Sequence, residues 1–540
     1  MMNYLPEKVE SVSGFPTVII TPYHYKITKT TSLDPSLARI GEFQVFYRSS
    51  QIRVEILEYV RRVRWIFLKA LDKPAREPPF FGGESHPYDV SPNKTKNASI
   101  LTRDSMFFGV ATASAVSYLD SNASWIILMQ DWEAATTVLA SQSTRISSQS
   151  SFHLTLHNSY DSGLPSYNLK RFAIDPKRYP GETVLNRSLP QIRNPIYTVS
   201  GQFAKDLTDE VFQSKVLAPH LVDLLTSRLY GINNGPFTKL AIDQKLLDQA
   251  VLGNYEPLQA WKKQRKEIAI AALTAFQPTE DRPFWGNITR FCCNEVPWFI
   301  IAGRDDPRQK GYDVACQAVT NLLEKGGLAS FLFFPIPGDE GLVGLNFLRK
   351  LATRYPDNVI VLPALFKEGF LAALQGSAFG VMPSLYEPFG MANEFCLNGT
   401  VAIGRATGGI IQQIVPFRSV TSFSKAVRQR ANSWHSQDDT PTGFLYREAD
   451  RFSANEANWQ AINATDYRIN GGYPDRIEER SRLPLFKAMA NALENCITDA
   501  VILYQSKPEK YYRMIVNGIK YIQNNFSWEQ TAQDYFRTLV

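Results

Sequence analysis

The residues best suited to chemistry lie between Phe379 and Val415, where polar turns follow two short apolar runs. The runs cover residues 379–382 and 400–404, and turn residues bound both, which predicts two buried parallel strands. Glu387 lies in the turn after the first run. Because open α/β sheets bind ligands at the carboxyl ends of their strands, this turn is a candidate ligand site.

A glycine pair follows the second run. Thr407, Gly408 and Gly409 stand at the start of the next predicted helix. Glycine lets the backbone approach a ligand closely, and the amino terminus of a helix presents N–H groups and a dipole that favour an anion. The stretch therefore predicts a phosphate site beside a carboxylate.

The elements that must position these turns alternate between strand and helix. Residues 298–303 are apolar and predict a buried strand, which Arg304 follows, and Lys310 comes after a short loop. This alternation predicts a doubly wound parallel sheet in the second half of the chain. The remaining elements predicted there before Phe379 are a helix over 312–324, a strand over 329–334, a helix over 342–354, a strand over 358–362 and a helix over 368–374.

The first half of the chain also predicts strands that end in polar residues. Residues 124–129 form one, and Asp131 and Trp132 follow it. These two residues fit a sugar contact, through a carboxylate and an aromatic face, and fit equally well a helix cap followed by a core tryptophan. Residues 151–158 alternate in period two, which places His153 and His157 on one strand face. A strand period without a nearby acidic ligand argues against a zinc site.

Other segments carry structural predictions only. Residues 50–71 have helical or mixed periodicity, 104–119 predict an amphipathic helix, and 162–195 read as a long loop. Three helices are predicted near the end of the chain, over about 484–504, 508–525 and 527–539.

Composition restricts the class of protein. A chain of 540 residues is too long for a single hydrophobic core and predicts more than one domain. Its content of 44% hydrophobic and 20% charged residues is ordinary for a globular protein. The net charge of +6 is scattered, which argues against nucleic-acid binding. Five cysteines without framework spacing predict free thiols in a reducing compartment. No apolar run reaches membrane-span length and the first residues do not resemble a signal peptide, so a cytoplasmic location is expected.

Taken together and in order, the motifs resemble the nucleotide-sugar-binding half of GT-B glycosyltransferases, the glycogen and starch synthase family in particular. That family has a glutamate-proline-x-glycine segment, then glycine-threonine, then arginine-x-threonine-glycine-glycine. The matching residues here are Glu387 to Gly390, Gly399-Thr400 and Arg405 to Gly409.

The resemblance implies roles for individual residues of the second half. Arg304 and Lys310 would reach the donor diphosphate, and Glu387 would bind hydroxyl groups of the donor sugar. Glu394 would contact the ribose of the nucleoside. In the glycine segment, the resemblance implies contacts with the nucleotide sugar for Arg405, Thr407, Gly408 and Gly409.

In the first half, the resemblance places His157 beside the reacting anomeric carbon, and favours it over His153. Residues implied to contact the acceptor or the donor sugar are Asp131, Trp132, Asn158 and Asn234. In this half the chain departs from the family pattern at three points: Gln130 replaces a histidine, Pro236-Phe237 replaces an aspartate, and the first strand with its lysine-x-glycine-glycine-leucine loop is absent upstream of Leu5. In the second half there is one extra residue between Arg304 and Lys310, and one residue fewer than usual between Glu387 and Glu394.

The resemblance implies a GT-B fold, an α/β architecture with two Rossmann-like domains facing across a cleft. We expect an acceptor-side domain over 1–280, a nucleotide-sugar-binding domain over 281–515, and a C-terminal helix within 516–540 that returns to the first domain. The chain carries no aspartate-x-aspartate pair of the kind that holds a divalent cation in GT-A enzymes, so no metal and no further cofactor is expected.

The expected function is retaining transfer of a hexose, glucose in our interpretation, from a nucleoside-diphosphate sugar to an α-glucan or other carbohydrate. ADP-glucose or UDP-glucose is the expected donor, and neither a nucleic acid nor a membrane is an expected partner. Two alternatives stay open: a GT-B transferase with another donor and a small-molecule or protein acceptor, and a non-catalytic relative that binds glucan or a partner protein.

Overall fold

A computed structural model describes residues 4–24, 36–75, 77–82, 94–141, 144, 146, 150–293, 295–338, 340–465 and 475–539, with side chains from residue 100 onward in the helix that begins at Lys94. The described residues fall into two compact units. The first unit comprises the described residues of 1–209, 213–235 and 528–540, and the second comprises 210–212 and 236–527.

The units depart from the predicted domain boundaries at residues 236–280, which lie in the second unit. The helix Glu256–Ala275 shows why, because its Lys262 is buried and donates to three carbonyl oxygens of that unit. Of the C-terminal segment, the helix Pro508–Asn525 belongs to the second unit and only Trp528–Leu539 belongs to the first.

The first unit contains two four-stranded sheets. One has the order β1-β4-β3-β2, with β1 parallel to β4 and the other pairs antiparallel. The other has the order β5-β6-β7-β8 and is entirely parallel. Their strands are β1 (Val18–Pro22), β2 (Ala38–Tyr47), β3 (Ser50–Val60), β4 (Arg64–Ala70), β5 (Ile126–Gln130), β6 (Ser151–Leu156), β7 (Ile196–Thr198) and β8 (Leu229–Gly231).

The helical or mixed reading of residues 50–71 is wrong, because β3 and β4 form a hairpin there. Ile52, Val54 and Ile56 are fully buried at alternate positions of β3, which is strand periodicity. Isoleucine and valine also favour the pleated backbone. The arginines at 61, 62 and 64 cluster at the turn and obscured this alternation in the sequence.

The predicted loop over 162–195 instead contains short helical turns. The helices of the first unit are Leu5–Ser13, Lys94–Leu119, Asp131–Ala140, Ser166–Arg171, Val184–Ser188, Gly201–Asp209, Val222–Leu225 and Trp528–Leu539, with 3-10 turns at Pro176–Arg178, Leu189–Gln191 and Pro219–Leu221. A π-helical segment, Phe212–Leu217, spans the point where the chain leaves the second unit.

The second unit contains one six-stranded parallel sheet with the order β11-β10-β9-β12-β13-β14. Counted from the first strand of the unit, this is the order 3-2-1-4-5-6 of the Rossmann fold. The predicted doubly wound sheet is therefore confirmed. The strands are β9 (Trp298–Arg304), β10 (Ser330–Ile336), β11 (Val359–Val361), β12 (Phe379–Met382), β13 (Val401–Arg405) and β14 (Gly443–Tyr446).

Helices cover the sheet of the second unit, and every strand from β9 to β14 is buried along most or all of its length. Among the described residues, no helix has both the length and the apolar character needed to cross a bilayer. The helices of this unit are Gln244–Val251, Glu256–Ala275, Ile288–Cys292, Tyr312–Glu324, Asn346–Arg354, Phe370–Gly376, Ala392–Leu397, Gly408–Gln413, Lys425–Ala431, Asp450–Ser453, Glu456–Ala464, Arg476–Arg480, Pro484–Ser506 and Pro508–Asn525, with a 3-10 turn at Val343–Leu345.

Candidate functional site

The strand order of the second unit fixes where its ligand site lies. The order reverses between β9 and β12, which pair directly at Phe299 and Phe379. In sheets of this type, ligands bind beyond the carboxyl ends of the strands at such a switch point. Arg304 ends β9, and Glu387 lies in the loop after β12. Two of the predicted site residues therefore flank the position that the topology favours.

Glu387 and Lys310 form an ion pair at this position. Lys310 Nζ lies 2.6 Å from Glu387 Oε2. Ser384 Oγ donates to the same carboxylate oxygen over 2.9 Å, and Gln309 Nε2 lies 3.4 Å from Oε1. The Glu387 side chain is nearly buried, whereas Lys310 keeps about a quarter of its side chain exposed. A nearly buried carboxylate and a partly exposed cation thus stand side by side at the carboxyl edge of the sheet.

Two glycines allow these loops to approach one another. Gly311 has a φ of +61°, and a Cβ atom there would lie 2.0 Å from the carbonyl oxygen of Pro383. Gly408 has a φ of +46°, and a Cβ atom there would lie 1.7 Å from the carbonyl oxygen of Glu387. Both positions therefore require glycine, for conformation and for space. Gly311 and Gly408 thus allow their backbone segments to pack directly against Pro383 and Glu387 of the loop that carries Glu387.

This packing changes the interpretation of the glycine pair. The N–H group of Gly409 donates to the carbonyl of Glu387 over 3.1 Å, and the N–H group of Thr407 donates to the carbonyl of Arg405 over 2.8 Å. These two amides, which the sequence suggested for a phosphate, are thus engaged within the protein. The helix Gly408–Gln413 has only six residues. The segment acts on the site mainly by holding the Glu387 loop.

Arg405 also supports this loop. Its side chain is 2% exposed and makes a two-point ion pair with Glu448, with Nε 3.0 Å from Oε2, and Nη1 donates to the carbonyl of Leu385. Burial raises the pKa of Glu448, but the charges of Arg405 and Arg447 outweigh it and hold that pKa at about 2. The predicted contact between Arg405 and the nucleotide sugar is therefore corrected. The guanidinium group is buried, and its Nε and both terminal nitrogens bond to oxygen atoms of the protein.

Arg304 and Glu394 occupy different surroundings. The side chain of Arg304 is 45% exposed, and one of its terminal nitrogens lies 3.6 Å from Asp306 Oδ2. Glu394 is buried in the helix Ala392–Leu397, and its Oε1 accepts the N–H of Phe237 over 2.8 Å. Burial raises the pKa of this carboxyl group.

A second polar cluster lies in the first unit, where β5 and β6 end. His157 Nε2 lies 2.8 Å from Gln130 Oε1, and the N–H group of His157 donates to Asp131 Oδ1 over 2.7 Å. The cluster includes no ion pair among these three side chains. Burial raises the pKa of Asp131 to about 7, against the opposing effect of the backbone N–H groups of His157 and Asn158, and burial lowers the pKa of His157 to about 4. The imidazole is therefore neutral near pH 7.

The other candidate residues of the first unit differ in their contacts. Trp132 is 6% exposed and belongs to the main apolar core of this unit, as the core alternative predicted. The helix cap of that alternative is not formed, because Asp131 accepts the backbone N–H of His157 instead. The backbone amide of Asn158 contacts Asp131, and Asn158 Oδ1 accepts the N–H of Tyr160. Asn234 is buried three residues after β8. His153 is buried, with Nε2 3.1 Å from Ser151 Oγ.

Several residues that shape the second-unit site were not identified from the sequence. Ser384 and Gln309 donate to Glu387, and their positions beside Pro383 and Lys310 were the available signal. Arg476 and Arg480 contact the loop that links Arg304 to Lys310, and their spacing of four residues on one helix was the available signal. In the part of the chain that is described, no group of three or more histidine, cysteine or acidic side chains has metal-ligand geometry.

Known proteins similar to this chain include glycogen synthases. No protein-family model matches the chain. It is 28% identical over 342 residues to a glycogen synthase of Dechloromonas aromatica (strain RCB), an alignment that covers 61% of this chain and 64% of that protein. It is 25% identical over 405 residues to glycogen synthase 2 of Agrobacterium fabrum (strain C58 / ATCC 33970), covering 72% and 70% respectively. The chain thus spans about two thirds of the length of these relatives, and slightly less for the first.

Among solved structures, the catalytic domain of starch synthase IV from Arabidopsis thaliana, bound to ADP and acarbose, has the same fold. It superposes with a TM-score of 0.64 over 99% of this chain and 94% of that one, at 17% sequence identity. In its fold, in the order of its motifs and in its sequence, this chain is similar to the glycogen and starch synthases among the GT-B glycosyltransferases.

Proposed function

We propose that this chain transfers a hexose, glucose in our proposal, from a nucleoside-diphosphate sugar to an α-glucan or another carbohydrate, with retention of anomeric configuration. The observation that carries the proposal is the Lys310–Glu387 pair, formed by two loops that follow neighbouring strands at the switch point of a Rossmann-type sheet. The relatives named glycogen synthase support the choice of reaction.

The donor diphosphate is assigned to Arg304 and Lys310. When the glycosidic bond breaks, the departing diphosphate gains negative charge, and a fixed cation stabilises that charge more than it stabilises the ground state. Lys310 is held at Glu387 and therefore needs little reorganisation during the reaction. Because two side-chain cations meet the charge, the proposed mechanism requires neither a metal ion nor a further cofactor.

Glu387 is assigned to the hydroxyl groups of the donor sugar. An ionised carboxylate accepts stronger hydrogen bonds than a neutral group does, and Glu387 forms an ion pair with Lys310. Thr407, Gly408, Gly409 and Arg405 maintain the shape of the loop that carries it. Glu394 is assigned to the ribose. The starch synthase of the same fold was solved with ADP, which supports ADP-glucose or UDP-glucose as the donor.

In the first unit, His157 is assigned to the reacting sugar, and Asp131, Asn158 and Asn234 to the hydroxyl groups of sugars. A neutral imidazole suits this role, since it donates a hydrogen bond without adding a full charge. The bond from the anomeric carbon to the phosphate oxygen breaks, and a bond from the same carbon to the acceptor oxygen forms. The acceptor hydroxyl gives its proton to the leaving phosphate oxygen, so no separate carboxylate base is required.

The proposal is tested by incubating the purified chain with ADP-, UDP- and GDP-hexoses, with and without glycogen or malto-oligosaccharides. We expect release of nucleoside diphosphate from a glucose donor, dependent on acceptor, and elongation of the oligosaccharide. Release with a different donor and a non-glucan acceptor would support the alternative GT-B transferase. If no donor is consumed while glycogen still binds the chain, the protein is a glucan-binding relative and the proposal is wrong.

A further inference from the structure

Two buried arginines on one short helix contact the loop between Arg304 and Lys310. Arg476 makes a two-point ion pair with Asp305, with Nη1 3.1 Å from Oδ1 and Nη2 2.8 Å from Oδ2. Both side chains are at most 4% exposed. Arg476 Nη2 also lies 3.3 Å from Glu340 Oε2. Asp305 is the residue that directly follows Arg304, so this pair anchors the beginning of the loop.

Arg480 anchors the rest of the loop from the same helix. It is fully buried and donates to the carbonyl of Pro307 over 2.9 Å and to Asp313 Oδ2 over 2.7 Å. Pro307 lies midway between Arg304 and Lys310, and Asp313 lies in the first turn of the helix that follows Lys310. The helix Arg476–Arg480 therefore bonds to this loop at its first residue, at its middle and just beyond its end.

A buried guanidinium is a costly way to join two segments. Removing both charges of an ion pair from water carries a desolvation penalty that often exceeds the mutual attraction, and apolar side chains of similar volume are commonly as stabilising. A two-point arginine–carboxylate pair does fix orientation, because its two parallel hydrogen bonds allow one geometry. Fixed geometry matters where a cation must meet charge that develops during a reaction.

The pair also affects the charge beside the proposed diphosphate site. Asp305 and Asp306 directly follow Arg304, and an uncompensated carboxylate at either position would repel an anion. Arg476 faces Asp305 from a helix 171 residues away in sequence and neutralises it. Asp306 lies near Arg304 itself.

We propose that Arg476, assisted by Arg480, is a positioning residue for the donor diphosphate: it fixes the loop that carries Arg304 and Lys310 and neutralises Asp305. This inference rests on the proposed function, since it concerns the same diphosphate. It assigns a role in donor binding to a helix that contributes no side chain to the predicted site.

The test compares Arg476→Gln, Arg476→Lys and Asp305→Asn with the unmodified chain. Calorimetry measures the affinity for ADP and UDP, and steady-state assays measure the KM for donor and for acceptor. We expect Arg476→Gln to weaken nucleotide binding and raise the donor KM by about tenfold or more, with the acceptor KM unchanged. Arg476→Lys keeps the charge, so it should recover part of the loss, and Asp305→Asn removes the repulsive charge, so it should have the smallest effect.

The exposed Arg482, two residues beyond Arg480, provides the matched control, and Arg482→Gln should leave every parameter unchanged. The inference is wrong if Arg476→Gln leaves nucleotide affinity and donor KM unaltered, or if donor and acceptor KM rise together with a fall in thermal midpoint in all three variants. Failure of the proposed function looks different, because then the unmodified chain itself neither binds the nucleotides nor uses a nucleotide sugar.

Discussion

The two units use opposite means to keep polar groups at the ends of their strands. In the second unit, Glu387 is nearly buried yet faces the ammonium group of Lys310. In the first unit, the carboxyl group of Asp131 accepts the backbone N–H of His157. Burial raises the pKa of Asp131 and lowers the pKa of His157, and so favours the neutral form of both. One cluster is a pair of opposite charges. In the other, the imidazole is neutral near pH 7 and the carboxyl group of Asp131 keeps its proton up to about pH 7.

This difference corresponds to what each cluster is proposed to bind. A diphosphate is a strong anion, so fixed cations stabilise it and charge pairing keeps them in place. Sugar hydroxyls are uncharged, and neutral donors and acceptors recognise them without the desolvation penalty of a full charge. Three of the four variants below each test one side of this comparison, and the Lys262 variant tests a buried cation elsewhere in the second unit.

The largest effect is expected from Lys310→Gln. The substitution removes the cation while keeping a side chain that can donate to Glu387, so the lost quantity is charge at the leaving group. We expect kcat/KM for the donor to fall on the order of 10²- to 10³-fold, as for loss of one fixed electrostatic contact in a transition state. Measuring release of nucleoside diphosphate checks this, and the exposed Lys367→Gln is the control. Retention of activity would show that the second-unit cluster is structural.

A large effect on stability is expected from Lys262→Met. Lys262 Nζ donates to the carbonyls of Gln375, Ser377 and Gly399 over 2.7 to 2.9 Å. Methionine fills a similar volume but removes the Lys262 donor from all three buried acceptors, of which the Ser377 carbonyl keeps a 3.4 Å contact with Thr400 Oγ1. This loss costs roughly 2–4 kcal/mol in the free energy of unfolding.

Urea denaturation of the Lys262 variant measures this loss, and the exposed neighbour Lys263→Met is the matched control. The control should change the free energy of unfolding by less than about 0.5 kcal/mol. Equal effects from the two variants would mean that the buried ammonium does not hold helix Glu256–Ala275 against the sheet of the second unit.

A moderate, pH-dependent effect is expected from Asp131→Asn. The folded pKa of about 7 lies above the ordinary value of 3.8, so the folded chain keeps a proton that the unfolded chain has released. Its stabilising contribution is therefore complete below about pH 4 and is lost as the pH rises through about 7. The difference between the folded pKa of about 7 and the ordinary value of 3.8 sets an upper bound of about 4 kcal/mol on this contribution.

Asparagine cannot titrate but retains an oxygen that accepts the N–H of His157. The urea midpoint of the variant should therefore rise relative to that of the unmodified chain between pH 4.5 and pH 8, because only the unmodified chain loses the proton at this position. Comparing the two chains at each pH cancels the contributions of the buried histidines, which have the opposite sign. Asp223→Asn, at an exposed position of the same unit, should show no such pH-dependent difference. If Asp131→Asn behaves as the control does, the first-unit cluster contains a charge and the comparison of the two units is incorrect.

The smallest effect is expected from Trp132→Phe. Because Trp132 packs in the core, the smaller ring should lower the free energy of unfolding by about 1–2 kcal/mol and change the acceptor KM by less than about twofold. Thermal denaturation and acceptor titration measure the two quantities. A marked rise in acceptor KM without loss of stability would restore the sugar-contacting role and add an aromatic surface to the first-unit cluster.

The sequence by itself determined the Rossmann-like second unit and the order of its polar turns. Short apolar runs bounded by turn residues predicted β9, β12 and β13, because the length of an apolar run and the chemistry of a turn are local properties of the sequence. The hairpin at 50–70 escaped detection because arginines around its turn mask the period-two alternation. The core position of Trp132 was left open, since a helix start and a sugar platform place the same residues in the same order.

Only the tertiary structure decided which charges and amides stay available to a ligand. The sequence grouped Arg304, Lys310, Arg405 and Thr407 alike, yet folding buries Arg405 against Glu448 and engages the Thr407 amide within the backbone. Lys310 and Glu387 are 77 residues apart, and Arg476 and Asp305 are 171 apart. Partners at such separations share no local pattern, because they meet only after helices and strands have packed and removed both groups from water.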